Sequence, residues 1–76
     1  MRPTTELARA PLGTTLTLVA IDNTTSRRRL ATLGLREGAR LRVLHRTIGG
    51  GRVVLVAGSR IALSHDLVRQ LRTQAA

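Results

Sequence analysis

The sequence predicts a mainly β fold, a small and partly open barrel of five short strands with one short α-helix between the first two. Three observations predict it. Apolar residues recur at every second position in several stretches, as in Ala39-Arg40-Leu41-Arg42-Val43, and a period of two marks strands with one buried face. Glycine-bearing stretches, Gly49-Gly50-Gly51 and Gly58-Ser59, separate such runs at hairpin distances. One stretch, Ser26 to Leu35, carries helix punctuation at both ends.

Taken in order, Thr4 to Gly13 reads as a lead-in, with Leu7 and Leu12 on either side of Pro11. Thr14 to Ile21 is the first strand, because Leu16 and Leu18 alternate with Thr15 and Thr17. The alternation slips at Val19-Ala20, and a bulge there returns Ile21 to the inner face. Asp22 to Thr25 is loop. Ser26 is the expected N-cap, its hydroxyl accepting from an orphan backbone N–H. Arg27, Arg28 and Arg29 then occupy the first helical turn, against the helix dipole, at ~0.3–1 kcal/mol per exposed cation. Leu30 and Leu33, three apart, form the buried face. Gly34 falls at the left-handed C′ position, and Leu35 closes back on Leu30 in a Schellman ending. Glu37-Gly38 reads as a turn, with Gly38 taking the positive φ of type II.

Ala39 to Arg46 is the clearest strand, with Ala39, Leu41, Val43 and His45 inward and Arg40, Arg42, Leu44 and Arg46 outward. Ile48 to Gly51 is a hairpin loop. Arg52 to Ala57 returns as a strand apolar on both faces, which suits a central place in the sheet. Gly58-Ser59 matches a two-residue II′ turn. Arg60 to Leu63 is the next strand, with Ile61 and Leu63 inward. Ser64 caps a single helical turn, Asp66 sits favourably at its start, and Leu67 and Leu71 close the core. Arg69 to Thr73 is the last strand, before a dispensable Gln74-Ala75-Ala76 tail. With no repeat and no linker, residues 1–76 form one domain with a core from about 5 to 73, a barrel of SH3-like type.

Composition restricts what such a domain does. A chain of 76 residues buries only ~60–65% of its unfolded surface and has no room for an enclosed active site. Without cysteine, disulfides and thiolate metal sites are excluded and an intracellular location is the default. Met1 to Thr5 carries a charge but no apolar segment follows it, and no run is long enough to span a membrane. All thirteen cations are Arg, the net charge is +9, and such a surface seeks anions: phosphate backbones, an acidic protein, or the anionic face of a membrane. The absence of Phe, Trp and Tyr counts against base stacking and proline-rich peptide grooves.

Titratable groups are few and scattered, so catalysis is not expected. His45 and His65, with Asp66 beside the latter, are the available metal ligands, but they lack the spacing of a metal site. His45 reads better as a half-buried strand residue. Gly49-Gly50-Gly51 lacks the Lys-Ser/Thr and helix of a phosphate-cradling loop and reads as a plain hairpin. No cofactor is expected.

The residues resemble a known family, the FeoA proteins of bacterial ferrous iron transport. The resemblance rests on Leu12-Gly13, on Arg29-Leu30-Ala31-Thr32-Leu33-Gly34-Leu35 with Gly38-Ala39 following, and on Ser59-Arg60-Ile61-Ala62-Leu63. Family members often have Pro where this chain has Glu37, and again where it has Arg52. The SH3-like modules that end metal-dependent repressors of the diphtheria-toxin-repressor type are similar, but the helix-turn-helix of those chains is absent here. The resemblance implies a cytoplasmic accessory protein that binds and modulates FeoB, the membrane Fe(II) transporter with a GTP-binding domain. The expected contact is Arg27, Arg28, Arg29, Leu33, Gly34, Leu35 and Arg36, facing an acidic surface on the transporter's cytoplasmic side. The alternative is a basic barrel that binds nucleic acid or serves as an interaction domain of metal-regulator type.

Overall fold

The structure, a computed structural model, describes residues 4–76. Met1, Arg2 and Pro3, the charged start noted above, lie outside the described residues. The elements are β1 (Thr5–Glu6), a 3-10 turn (Leu7–Arg9), β2 (Thr15–Ile21), α1 (Thr24–Ala31), β3 (Arg40–Arg46), β4 (Arg52–Val56), β5 (Ser59–Leu63), α2 (His65–Val68) and β6 (Leu71–Ala75). One antiparallel sheet runs β1-β6-β2-β3-β4-β5. Its two edges, β1 and β5, are not paired with each other among the described residues, so the barrel is open along that seam.

Five strands were expected and six are present. The extra one comes from the lead-in, where Thr5 and Glu6 pair with Thr73 and Arg72, and the Thr73 hydroxyl donates to the Thr5 carbonyl at 3.1 Å. Two residues cannot show a period, which is why alternation misses this strand. The helix therefore lies between the second and third strands. The C-terminal tail is also sheet: Gln74 and Ala75 pair with Thr17 and Leu16, and the Ala76 N–H donates to the Thr15 carbonyl at 3.3 Å. The tail was expected to be dispensable. Its role lies in the backbone, since β6 sits between β1 and β2.

Elsewhere the periodicity holds. In β2 the register shifts between Leu18 and Ala20, so Leu16, Leu18 and Ile21 are all buried, as the slip at Val19-Ala20 requires. Leu41 and Val43 face the core. A second register shift between Val43 and His45 breaks the phase, and His45 is exposed rather than half-buried. The β4 strand is interior, paired with β3 and β5. The β4–β5 turn is Ala57-Gly58, not Gly58-Ser59, because Val56 pairs with Ser59. Its two residues have φ of 50° and 82°, the left-handed pair of a type I′ turn, whose twist matches the flanking strands. Ser64 caps α2, its Oγ accepting from the Leu67 N–H at 3.3 Å. Within that turn Val68 is fully buried while Leu67 packs at the margin of the core.

Arg52 joins two segments far apart in sequence. Its guanidinium is buried and donates to the carbonyls of Gly50 at 2.8 Å and Gly51 at 2.9 Å, and across to Ala8 at 2.7 Å. One planar group thus ties the β3–β4 hairpin to the 3-10 turn that follows β1, using several of the five donors that an arginine fork presents.

Candidate functional site

The most distinctive local geometry is α1 and the turns that follow it. Asn23, not Ser26, is the N-cap: its side-chain oxygen accepts from the Ser26 N–H at 3.0 Å. Both residue types suit a cap, and Asn23 wins because its extended backbone, φ −130°, ψ 124°, lets the helix begin earlier, at Thr24. That shift of register overturns the expected charge placement. Arg28 and Arg29 lie in the last turn, where the helix dipole favours cations. The arginines are therefore not strained against the dipole.

The far end is a Schellman motif. The Leu35 N–H donates to the Leu30 carbonyl at 3.0 Å and the Gly34 N–H to Ala31 at 3.1 Å, with Gly34 at φ +90°. Leu30 and Leu35 are both buried. Leu33, expected beside Leu30 on the buried face, is 48% exposed, because the reversal at Gly34 gives the inner place to Leu35. Next, the Ala39 N–H donates to Arg36 at 2.9 Å across Gly38 at φ +91°, the expected type II turn.

These contacts divide the candidate docking residues. Arg27 donates to the Ile21 carbonyl at 3.1 Å and lies 3.8 Å from Glu37. Arg36 donates to the Ala31 carbonyl at 3.4 Å, which serves the helix C-terminus. Leu35 is core and cannot touch a partner. Arg28, Arg29 and Leu33 remain exposed, and neither arginine has an ion pair or side-chain hydrogen bond among the described residues.

The two histidines lie on different elements. His45 is on β3 opposite Val53, whereas His65 opens α2 with its ring over Gly50, close enough that a Cβ there would meet it at 2.8 Å. Among the described residues no group of three or more His, Asp or Glu is placed to hold a metal ion. An apolar hollow lined by Thr5, Ala10, Pro11, Thr14, Leu16 and Thr73 has no titratable group in its lining. Among the described residues no helix is long and apolar enough to cross a membrane.

Comparison with known proteins decides the family. The FeoA domain model matches residues 5–74, nearly the whole chain. The chain belongs to the FeoA domain family. This FeoA domain is similar to a crystal structure described as iron uptake regulatory protein (FeoA), at 25% identity and TM-score 0.83, covering 95% of this chain and 96% of that one. It is similar to the solution structure of FeoA from Chlorobium tepidum at 23% identity and TM-score 0.84, covering 93% of this chain and 70% of that one. All of this chain also matches 44% of a manganese-dependent transcriptional repressor at 23% identity and TM-score 0.89, a likeness of fold. No curated protein sequence matches the chain. The fold is thereby the SH3-like fold of the FeoA family, a family linked to Fe(II) transport.

Proposed function

We propose that this FeoA domain is a non-enzymatic, cytoplasmic accessory protein of Fe(II) uptake that docks on the cytoplasmic side of an FeoB-type transporter. The contact is the exposed end of α1, made by Arg28, Arg29 and Leu33 beside Gly34. One observation carries this reading: Leu33 is 48% exposed next to two arginines whose side chains have no partner among the described residues, on a helix whose two ends are both capped. An exposed apolar side chain rimmed by cations suits a protein contact, and an opposing acidic surface speeds the encounter. Arg27 and Arg36 hold the helix, and their part in docking is to keep it in place.

The test is the double charge reversal Arg28→Glu with Arg29→Glu, alongside Leu33→Ser, in cells whose growth depends on Fe(II). Both variants should fold, because all three side chains are exposed. Each should lose the transporter from a membrane pull-down and slow Fe(II)-dependent growth. Folded variants that retain wild-type pull-down and growth would dismiss this contact.

A further inference from the structure

We infer that the outer face of β3, β4 and β5 is a second docking surface, one for an acidic polypeptide segment that carries an apolar side chain between carboxylates. The inference does not depend on the transporter reading. Sheet register brings its residues together. Thr15 pairs with Arg42, Arg42 with Leu55 and Leu55 with Arg60, so one cross-strand row reads Thr-Arg-Leu-Arg. Adjacent strands are ~4.8 Å apart, which sets Arg42 and Arg60 about 10 Å from each other with Leu55 between them. Arg40 lies two residues from Arg42 on the same face, ~7 Å along the strand. Thr15, Arg40, Arg42, Leu55, Ala57 and Gly58 line a shallow hollow of about 330 Å³.

Charge decides what this face accepts. Arg40, Arg42 and Arg60 are exposed, and none has an ion pair or side-chain hydrogen bond among the described residues. The four acidic side chains lie elsewhere. Asp22 faces Arg72 at 3.4 Å and Glu37 faces Arg27 at 3.8 Å, while Glu6 and Asp66 share a hollow with Arg69 and Gln70. Among the described residues the β3–β5 face is thus a cationic surface with no acidic side chain paired to it, and its floor is the half-buried, apolar Leu55.

That floor separates two kinds of anion. A phosphodiester backbone brings charge but nothing apolar to cover Leu55, and the chain has no aromatic residue to stack a base. An acidic polypeptide brings both: carboxylates for Arg42 and Arg60, in the bidentate geometry that guanidinium favours, and an aliphatic side chain for the floor. The long arginine side chains absorb differences in spacing.

The experiment is a titration of the isotopically labelled full chain, followed by amide resonances, with three probes. These are a synthetic peptide of alternating glutamate and leucine, the same peptide with each leucine replaced by glycine, and a short DNA duplex. The glutamate–leucine peptide should shift the amides of Arg42, Leu55 and Arg60. It should bind about fivefold more tightly than the glycine version, the worth of a partly buried leucine. The double variant Arg42→Glu, Arg60→Glu, altered only at exposed positions, should weaken it about tenfold. Equal affinity for the two peptides, shifts confined to α1, or tighter binding of the duplex than of the glutamate–leucine peptide would each overturn the inference.

Discussion

Truncating Arg52 to alanine should loosen the tie between the β3–β4 hairpin and the 3-10 turn that follows β1. The side chain is only 8% exposed, and its three hydrogen bonds, 2.7 to 2.9 Å long, all end on backbone carbonyls. Bonds from a charged donor contribute ~1.5–3 kcal/mol each. Against that stands the several kcal/mol needed to bury a guanidinium with no carboxylate opposite it, and its Nε has no hydrogen-bond partner. The net loss on Arg52→Ala is therefore ~2–4 kcal/mol, well below the gross value of the bonds. A domain of 76 residues has a total of only ~4–11 kcal/mol, and for this size each kcal/mol moves Tm by ~4–8 °C. The variant should melt at least ~8 °C below wild type. With no Trp or Tyr, far-UV circular dichroism is the assay, supported by hydrogen exchange. Amides at Gly50, Gly51 and the 3-10 turn should lose protection before those of β2 and β3. A Tm within ~2 °C of wild type would show that the guanidinium only breaks even with its burial.

Other substitutions test other joints. Leu30→Ala and Leu41→Ala should each cost ~2–4 kcal/mol in urea unfolding, as buried Leu truncations do, while Leu44→Ala on the half-buried side costs far less; equal losses would reverse the assigned faces. Asn23→Ala should cost ~0.5–2 kcal/mol and Ser26→Ala almost nothing, and the opposite order in thermal melts would restore Ser26 as the cap. At Gly51 a Cβ would stand 2.4 Å from the Leu63 carbonyl oxygen and 2.6 Å from Thr47 Oγ1. Gly51→Ala should therefore destabilise by ~1–3 kcal/mol, with Thr47→Ala in the same chain relieving only the hydroxyl part. Titration calorimetry of Fe(II) or Zn(II) should show no stoichiometric site lost in His45→Ala or His65→Ala; such a site would contradict the geometry.

What the sequence determined by itself was local. Leu alternating with Thr placed β2, apolar residues alternating with Arg placed β3 and a run apolar on both faces placed β4, the broken phase at Val19-Ala20 located a bulge, and Gly34 and Gly38 marked the two left-handed backbones that end α1 and open β3. Each follows from side-chain period or backbone sterics within a few residues. Tertiary structure decided what depends on distant segments. Thr5-Glu6 and Gln74-Ala75 have no pattern of their own and become strands only because β6 needs neighbours on both sides. At the start of α1 the sequence pointed to Ser26 as the cap, and the path out of β2 made Asn23 the cap instead, which carried Arg28 and Arg29 from the first turn to the last. Leu33 and Leu35 were both eligible for burial until the turn at Gly34 picked one. Arg52 gave no signal at all, since nothing local says that a guanidinium will meet the carbonyl of Ala8, far apart from it in sequence.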